Sequence, residues 1–249
     1  MFGNMSPSLI IGDDCQEAWV RTCRHLLANG GEASNLLVTI RDPFQSDSAL
    51  EDQVKRFCDS LGLLRPRQVA YTLFPTGLAR GRSAEGLFDA YNRNGGFFER
   101  VRHRHPGHIR WGTYFRRLTH YETADGVVNQ LSRVIQAINL RPRLYSSAYT
   151  MMIQRPGSEN VLPLGGPCLN YIALQVRRRE EQKRIGLLAV YRNHSFLKRA
   201  YGNYVGLGHL LRFICDQTGS EAGEVHCLSS HAYVEQKRAL RCFLDTLAI

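Results

Sequence analysis

The stretch Leu169-Asn-Tyr-Ile-Ala-Leu-Gln-Val-Arg-Arg-Arg-Glu-Glu-Gln-Lys-Arg-Ile-Gly-Leu-Leu-Ala-Val-Tyr191 decides the fold. Leu169–Arg177 and Ile185–Tyr191 alternate or run apolar as sheet strands do, and the charged segment Arg177–Arg184 between them reads as a hairpin tip. Working outward, Leu144–Gln154 predicts a strand before this hairpin. Val205–Cys215 and Val234–Leu247 predict helices after it. Upstream, Asp14–Leu27 has helical spacing, with Asp14 as N-cap and a stop at Asn29-Gly-Gly31. Asn35–Ile40 predicts a strand ended by Asp42-Pro43, and Asp47–Leu61 and Ala84–Asn92 predict helices. Asp125–Leu140 places Val127, Val128, Leu131, Val134, Ile135 and Ile138 on one helical face. The sum is an α+β chain: a single domain over 1–249, with a large, mostly antiparallel or mixed sheet covered by helices and a loose tail over 1–8.

Composition narrows the classes. Hydrophobic residues make up 43% and charged residues 22% of the 249, as in ordinary globular proteins. No apolar run approaches the roughly 20 residues that span a bilayer, and no basic start precedes an apolar stretch. No membrane partner is expected. Seven cysteines without a Cys-x-x-Cys pair argue against a disulfide framework or zinc knuckle and favour the cytoplasm. His103, His105 and His108 lie in a basic, Gly-containing segment over Arg93–Arg117, read as irregular surface structure rather than a metal site. The net charge of +10 fits an anionic partner. A basic nucleic-acid-binding module is the alternative of another class, but no helix-turn-helix, zinc-finger or RNP pattern argues for one.

Chemistry concentrates after residue 164. Cys168 follows Gly-Gly-Pro at the mouth of a strand, as a reachable nucleophile or a structural thiol. The hairpin returns Arg192 beside it, where a guanidinium favours a thiolate and can hold a phosphate. His231 and Tyr233, two apart on an extended segment, put both side chains on one face.

Pro167-Cys168-Leu169, Tyr191-Arg192-Asn193-His194-Ser195, Gly202-Asn203-Tyr204-Val205-Gly206-Leu207 and Ser229-Ser230-His231-Ala232-Tyr233 resemble, in order, the signatures of the thymidylate synthase and pyrimidine-nucleotide hydroxymethylase superfamily. Trp111-Gly-Thr-Tyr114, Asn129-Gln-Leu131 and Arg141-Pro-Arg143 fit that order upstream. The resemblance is strongest over 125–235. It implies that Cys168 attacks C6 of a uracil-like ring, that Arg192 and Ser195 lie in the nucleotide pocket with Arg192 on the phosphate, and that Asn203 reads the base edge. It further implies that His231 and Tyr233 hold the sugar, and that Arg143, with Arg141, reaches the phosphate of a partner subunit. The product would be a pyrimidine mononucleotide carrying a methyl or hydroxymethyl group on C5, with 5,10-methylenetetrahydrofolate as the candidate carbon donor. Two subunits would pair back to back through a sheet face, for which Tyr149, Met151, Ile172, Leu174, Leu188 and Val190 are the expected apolar residues.

The chain also departs from the family. Asn193 stands where the family has Ser, Ser195 where it has Asp, and Leu169 where the synthases have His. Gln68 stands where a catalytic Glu is expected, and a carboxamide does not relay protons as a carboxylate does. Either another group such as Glu85 supplies the acid or the folate-dependent steps are lost. Residues 234–249 alone follow Tyr233, fewer than the segment with which full synthases close over folate. A diverged enzyme acting on a nucleotide, or a catalytically silent nucleotide-binding protein, are the other readings.

Overall fold

Helices and one mixed sheet build the chain in the computed structural model, which describes residues 6–93, 111–141, 143–159, 161 and 166–247. The main strands are β1 (Ser8–Gly12), β2 (Glu32–Ile40), β5 (Thr150–Met152), β6 (Leu169–Arg179), β7 (Gln182–Tyr191), β8 (His194–Ser195) and β9 (Glu221–Tyr233). They line up as β1-β2-β9-β7-β6-β5, with β8 added along the end of β9. β1/β2, β7/β9 and β8/β9 pair parallel, and β2/β9, β6/β7 and β5/β6 pair antiparallel. A separate hairpin joins β3 (Tyr121–Thr123) to β4 (Gly126–Val128). No helix among the described residues is long and apolar enough to cross a membrane.

The deciding hairpin forms as read, with Glu180 at φ +54° in its turn. Its two strands need a cover, and each parallel pair supplies one through its crossover helix. Helix Cys15–Ala28 joins β1 to β2, and helix Tyr201–Thr218 lies between β7 and β9. Asp14 caps the first helix by accepting from the N–H groups of Gln16 and Glu17. The second ends at Gly219, whose φ of +57° is the left-handed conformation that a helix stop favours. Alternate strand residues, among them Val38, Ile172, Leu174, Leu187, Ala189 and Cys227, are buried with Trp19, Leu26, Leu207 and Leu211 in one core.

Several boundaries differ from the sequence expectations. Ser8 belongs to an edge strand instead of a loose tail. The helix expected from Asp125 begins at Gln130, because Thr123 and Gly126 close a hairpin and Asn129 caps by accepting from the Ser132 N–H. Val127 is therefore exposed. Residues 114–117, expected to be irregular, start the helix Tyr114–Thr119. The strand expected over 144–154 is ordered as a strand only at Thr150–Met152. The last two helices run Tyr201–Thr218 and Lys237–Leu244. His103, His105 and His108 lie outside the described residues.

The list of residues proposed for an outer sheet face also divides. Tyr149, Met151, Ile172 and Leu174 are fully buried against the helices. Leu188 and Val190 point the other way, because Ile172 pairs with Ala189 and Ala173 with Leu188, and cross-strand partners share a face. On that opposite face the register sets Leu9, Leu37, Leu228, Val190, Tyr171 and Met152 side by side, one from each of six strands.

Candidate functional site

Cys168, Arg192, Ser195, His231 and Tyr233 gather at one end of the sheet, where β6 begins and β7 and β9 finish. Leu169 pairs with Tyr191 and Tyr191 with Ser229, while Ser195 on β8 pairs with Tyr233. The β6/β7 register shifts between Leu169 and Tyr171. The residue at that irregularity, Asn170, uses its side-chain oxygen to accept from the Arg192 N–H at 3.0 Å. Arg192 also donates its main-chain N–H to the Cys168 carbonyl at 2.9 Å and its Nε–H to the Pro167 carbonyl at 3.1 Å. The turn that presents the cysteine is thereby tied to the arginine.

All seven cysteines are free; Cys168 is half-buried, Cys242 is exposed and the other five are buried. Burial pushes the Cys168 thiol up, and the positive charges of Arg192 and Arg199 pull it partway back. Arg192 thus favours the thiolate as expected, but desolvation outweighs both guanidiniums and the net shift is upward. Arg199 is half-buried with no acidic partner among the described residues. It lies within a π-helical turn, Phe196–Ala200, that leads into the long helix. Nothing in the sequence marked Arg199, because its approach to Cys168 depends on that turn. The buried Tyr114 hydroxyl also lies against the backbone of Cys168 and Leu169.

Asn203 sits in the long helix, not in a turn after Gly202. It is only 3% exposed. Its Nδ2 donates to His194 Nε2 at 3.1 Å, and its Oδ1 is buried without a hydrogen-bond partner among the described residues. Gly202 and Gly206 beside it let helix Pro66–Leu73 approach: a Cβ at Gly202 would fall 2.6 Å from the Pro66 carbonyl oxygen, and one at Gly206 would fall 2.8 Å from Leu73 Cβ. The imidazole of His194 stacks on Tyr191 with centroids 4.0 Å apart and planes 3° from parallel. The Tyr191 hydroxyl is another buried group without a partner among the described residues.

At the rim, the rings of His231 and Tyr233 stack at 5.4 Å. His231 Nδ1 meets Asn193 Oδ1 at 2.8 Å. Ser195 donates to Glu235 at 2.8 Å, and Glu235 pairs with Lys198 at 3.1 Å. Gln68 is exposed in helix Pro66–Leu73, where its Oε1 accepts from the Arg65 N–H at 2.8 Å. It completes a helix cap there, and none of its described bonds reaches Cys168. Arg141 and Arg143 are exposed beyond helix Gln130–Leu140, the Arg143 guanidinium lying 5.8 Å from the Tyr145 ring centre. Among the described residues no group of three or more His, Cys, Asp or Glu side chains could hold a metal ion.

Below this surface, Arg117 and Glu159 form a buried ion pair at 2.5 Å. Arg117 also donates to the Trp111 carbonyl, and Glu159 accepts from the Arg155 N–H. No family model matches the chain, and no curated protein matches its sequence.

Proposed function

We propose that this sheet end binds a uridylate-like pyrimidine mononucleotide and that Cys168 adds to C6 of its base, activating C5 for one-carbon transfer. The observation that carries the reading is the half-buried Cys168 thiol under the charges of Arg192 and Arg199 at the sheet end, to which the buried Asn203 carboxamide is linked through His194 on β8. A carboxamide offers a donor and an acceptor, complementary to the N3–H and O4 of uracil. Arg192 holds the phosphate, while His231 and Tyr233 serve the sugar.

In the reaction the sulfur–C6 bond forms as the C5–C6 π electrons move toward O4. The resulting enolate attacks an electrophilic one-carbon donor through C5, loses the C5 proton and expels the thiolate. The cation near the sulfur favours its ionised form at the moment of attack. Methylenetetrahydrofolate stays the candidate carbon donor that the resemblance implies. Position 68 carries a carboxamide engaged in a helix cap instead of a carboxylate, so no step is routed through folate.

The row Leu9, Leu37, Leu228, Val190, Tyr171 and Met152 supports a homodimer through the uncovered sheet face. A two-fold axis can lay such a row against its own copy. Arg143 and Arg141 would then serve the partner's phosphate. A silent nucleotide-binding protein is the second reading, favoured by the capping role of Gln68 and the raised Cys168 thiol. Equilibrium binding of UMP, dUMP, CMP and dCMP tests the site. Uridylate binding that Arg192→Ala weakens by ~10- to 100-fold is the expected result. Binding only to long RNA or DNA, with a steep salt dependence, would select the nucleic-acid module instead.

A further inference from the structure

We propose that His194 is a positioning residue that fixes which end of the Asn203 carboxamide meets the base, and so makes the pocket selective for an imide edge, N3–H with O4, over the N3/N4-amino edge of cytosine. The inference rests on the nucleotide reading of the site and names a residue that this reading does not use.

An amide nitrogen only donates, so the 3.1 Å contact from Asn203 Nδ2 requires His194 Nε2 to accept. Burial pushes the imidazole down to about 3, so the ring is neutral near pH 7 and carries its single proton on Nδ1. That proton points at Ser229 Oγ, 3.0 Å away, and Ser229 is itself fully buried. Tyr191 stacked on one ring face and Phe196 tilted at 5.1 Å restrict the ring further.

The chain Ser229–His194–Asn203 therefore leaves Oδ1 as a buried acceptor with no donor among the described residues. One Nδ2 hydrogen is held by His194, and the amide nitrogen has a second to offer a ligand. Together Oδ1 and that hydrogen present an acceptor and a donor side by side, which complements N3–H and O4 of uracil. Cytosine offers an acceptor at N3 and a donor at N4. Meeting it would require the amide to turn over and set Nδ2 and Oδ1 against the wrong partners. With the imidazole proton on Nε2 instead, Asn203 would have to present its Oδ1 to the ring, and the preference would reverse.

Two measurements test this. In the wild-type protein, 15N-labelled histidine spectra should show His194 neutral at pH 7 with the proton on Nδ1. A proton on Nε2 would overturn the proposal whatever the ligand results. In binding assays, His194→Phe keeps an aromatic ring beside Tyr191 and removes the acceptor, so the UMP-over-CMP ratio should fall by ~10-fold or more through weaker UMP binding. Ser229→Ala, a milder change, should lower the ratio in the same direction. A purely structural role would weaken both nucleotides equally, so an unchanged ratio in folded variants overturns the positioning role and leaves the nucleotide site standing. Wild-type protein that binds neither nucleotide overturns both.

Discussion

Arg192 and Cys168 are joined main chain to main chain, the N–H of the arginine donating to the carbonyl of the cysteine at 2.9 Å. The arginine's approach to the thiol is therefore set by the end of the β6/β7 ladder, and its charge opposes the burial that pushes the thiol up. Iodoacetamide on the native protein should label Cys168 and Cys242, since the other five cysteines are buried. Removing a cation raises the thiol further, so Arg199→Ala should slow Cys168 labelling at pH 8 several-fold while Cys242 stays constant as the internal reference. Equal rates would take Arg199 away from the thiol.

The buried pair Arg117–Glu159 anchors the segment around residues 153–159 to helix Tyr114–Thr119. Glu159→Ala leaves an uncompensated guanidinium inside and should cost about 3–5 kcal/mol in urea unfolding. A loss below about 1 kcal/mol would mean that the arginine finds water or another acceptor.

Acid stability carries a signature of His194. Its folded value lies near 3, below the ordinary 6.5 of an exposed histidine, so the unfolded chain binds one more proton between those values. Stability is fully present above about 6.5 and falls as the pH drops toward 3. His120 and His209 are also held low by burial and add to the same slope. In His194→Phe the slope of unfolding free energy against pH near pH 5 should decrease by about one proton. An unchanged slope would mean that the ring is already protonated in the fold.

The proposed sharing of Arg143 across a dimer is tested by mixing subunits. Arg143→Ala and Arg192→Ala proteins, each weak in uridylate binding, should regain about one working pocket per mixed dimer. Val190→Glu, which puts a charge in the outer sheet row, should give monomers by sedimentation and abolish that rescue. Rescue by Val190→Glu chains would refute the shared site.

The hairpin and most helices were legible because their signals are local. The apolar runs of 169–191 meet at a charged tip, and Asp14 and Asp47 both cap the helices they precede. Val127 and Val128 misled because they continue the helical spacing of residues 131–138, while Gly126 at φ +122° and the Asn129 cap set the true start. The site was readable where residues lie on the strand ends of one ladder, as Cys168 and Arg192 do. Tyr191, His194 and Arg199 were not singled out. Stacking between rings, the tautomer of a buried imidazole and the direction of an arginine within a π-helical turn arise from packing and leave no spacing in the chain.

Asn203→Asp tests the base edge directly. The ionised side chain offers two acceptors and repels O4, so preference should move from UMP toward CMP by about 1–3 kcal/mol in competition binding. An unchanged ratio would remove Asn203 from the pocket.

The most direct test of the account is hydrogen exchange at C5. In the proposed reaction, attack of Cys168 on C6 would turn C5 into an enolate carbon that takes a solvent proton and, on reversal, gives up its original hydrogen without any carbon donor. UMP or dUMP tritiated at C5 should therefore release tritium to water with the wild-type protein and not with Cys168→Ala. Bound nucleotide with no tritium release, or release that survives Cys168→Ala, would contradict a nucleophilic Cys168.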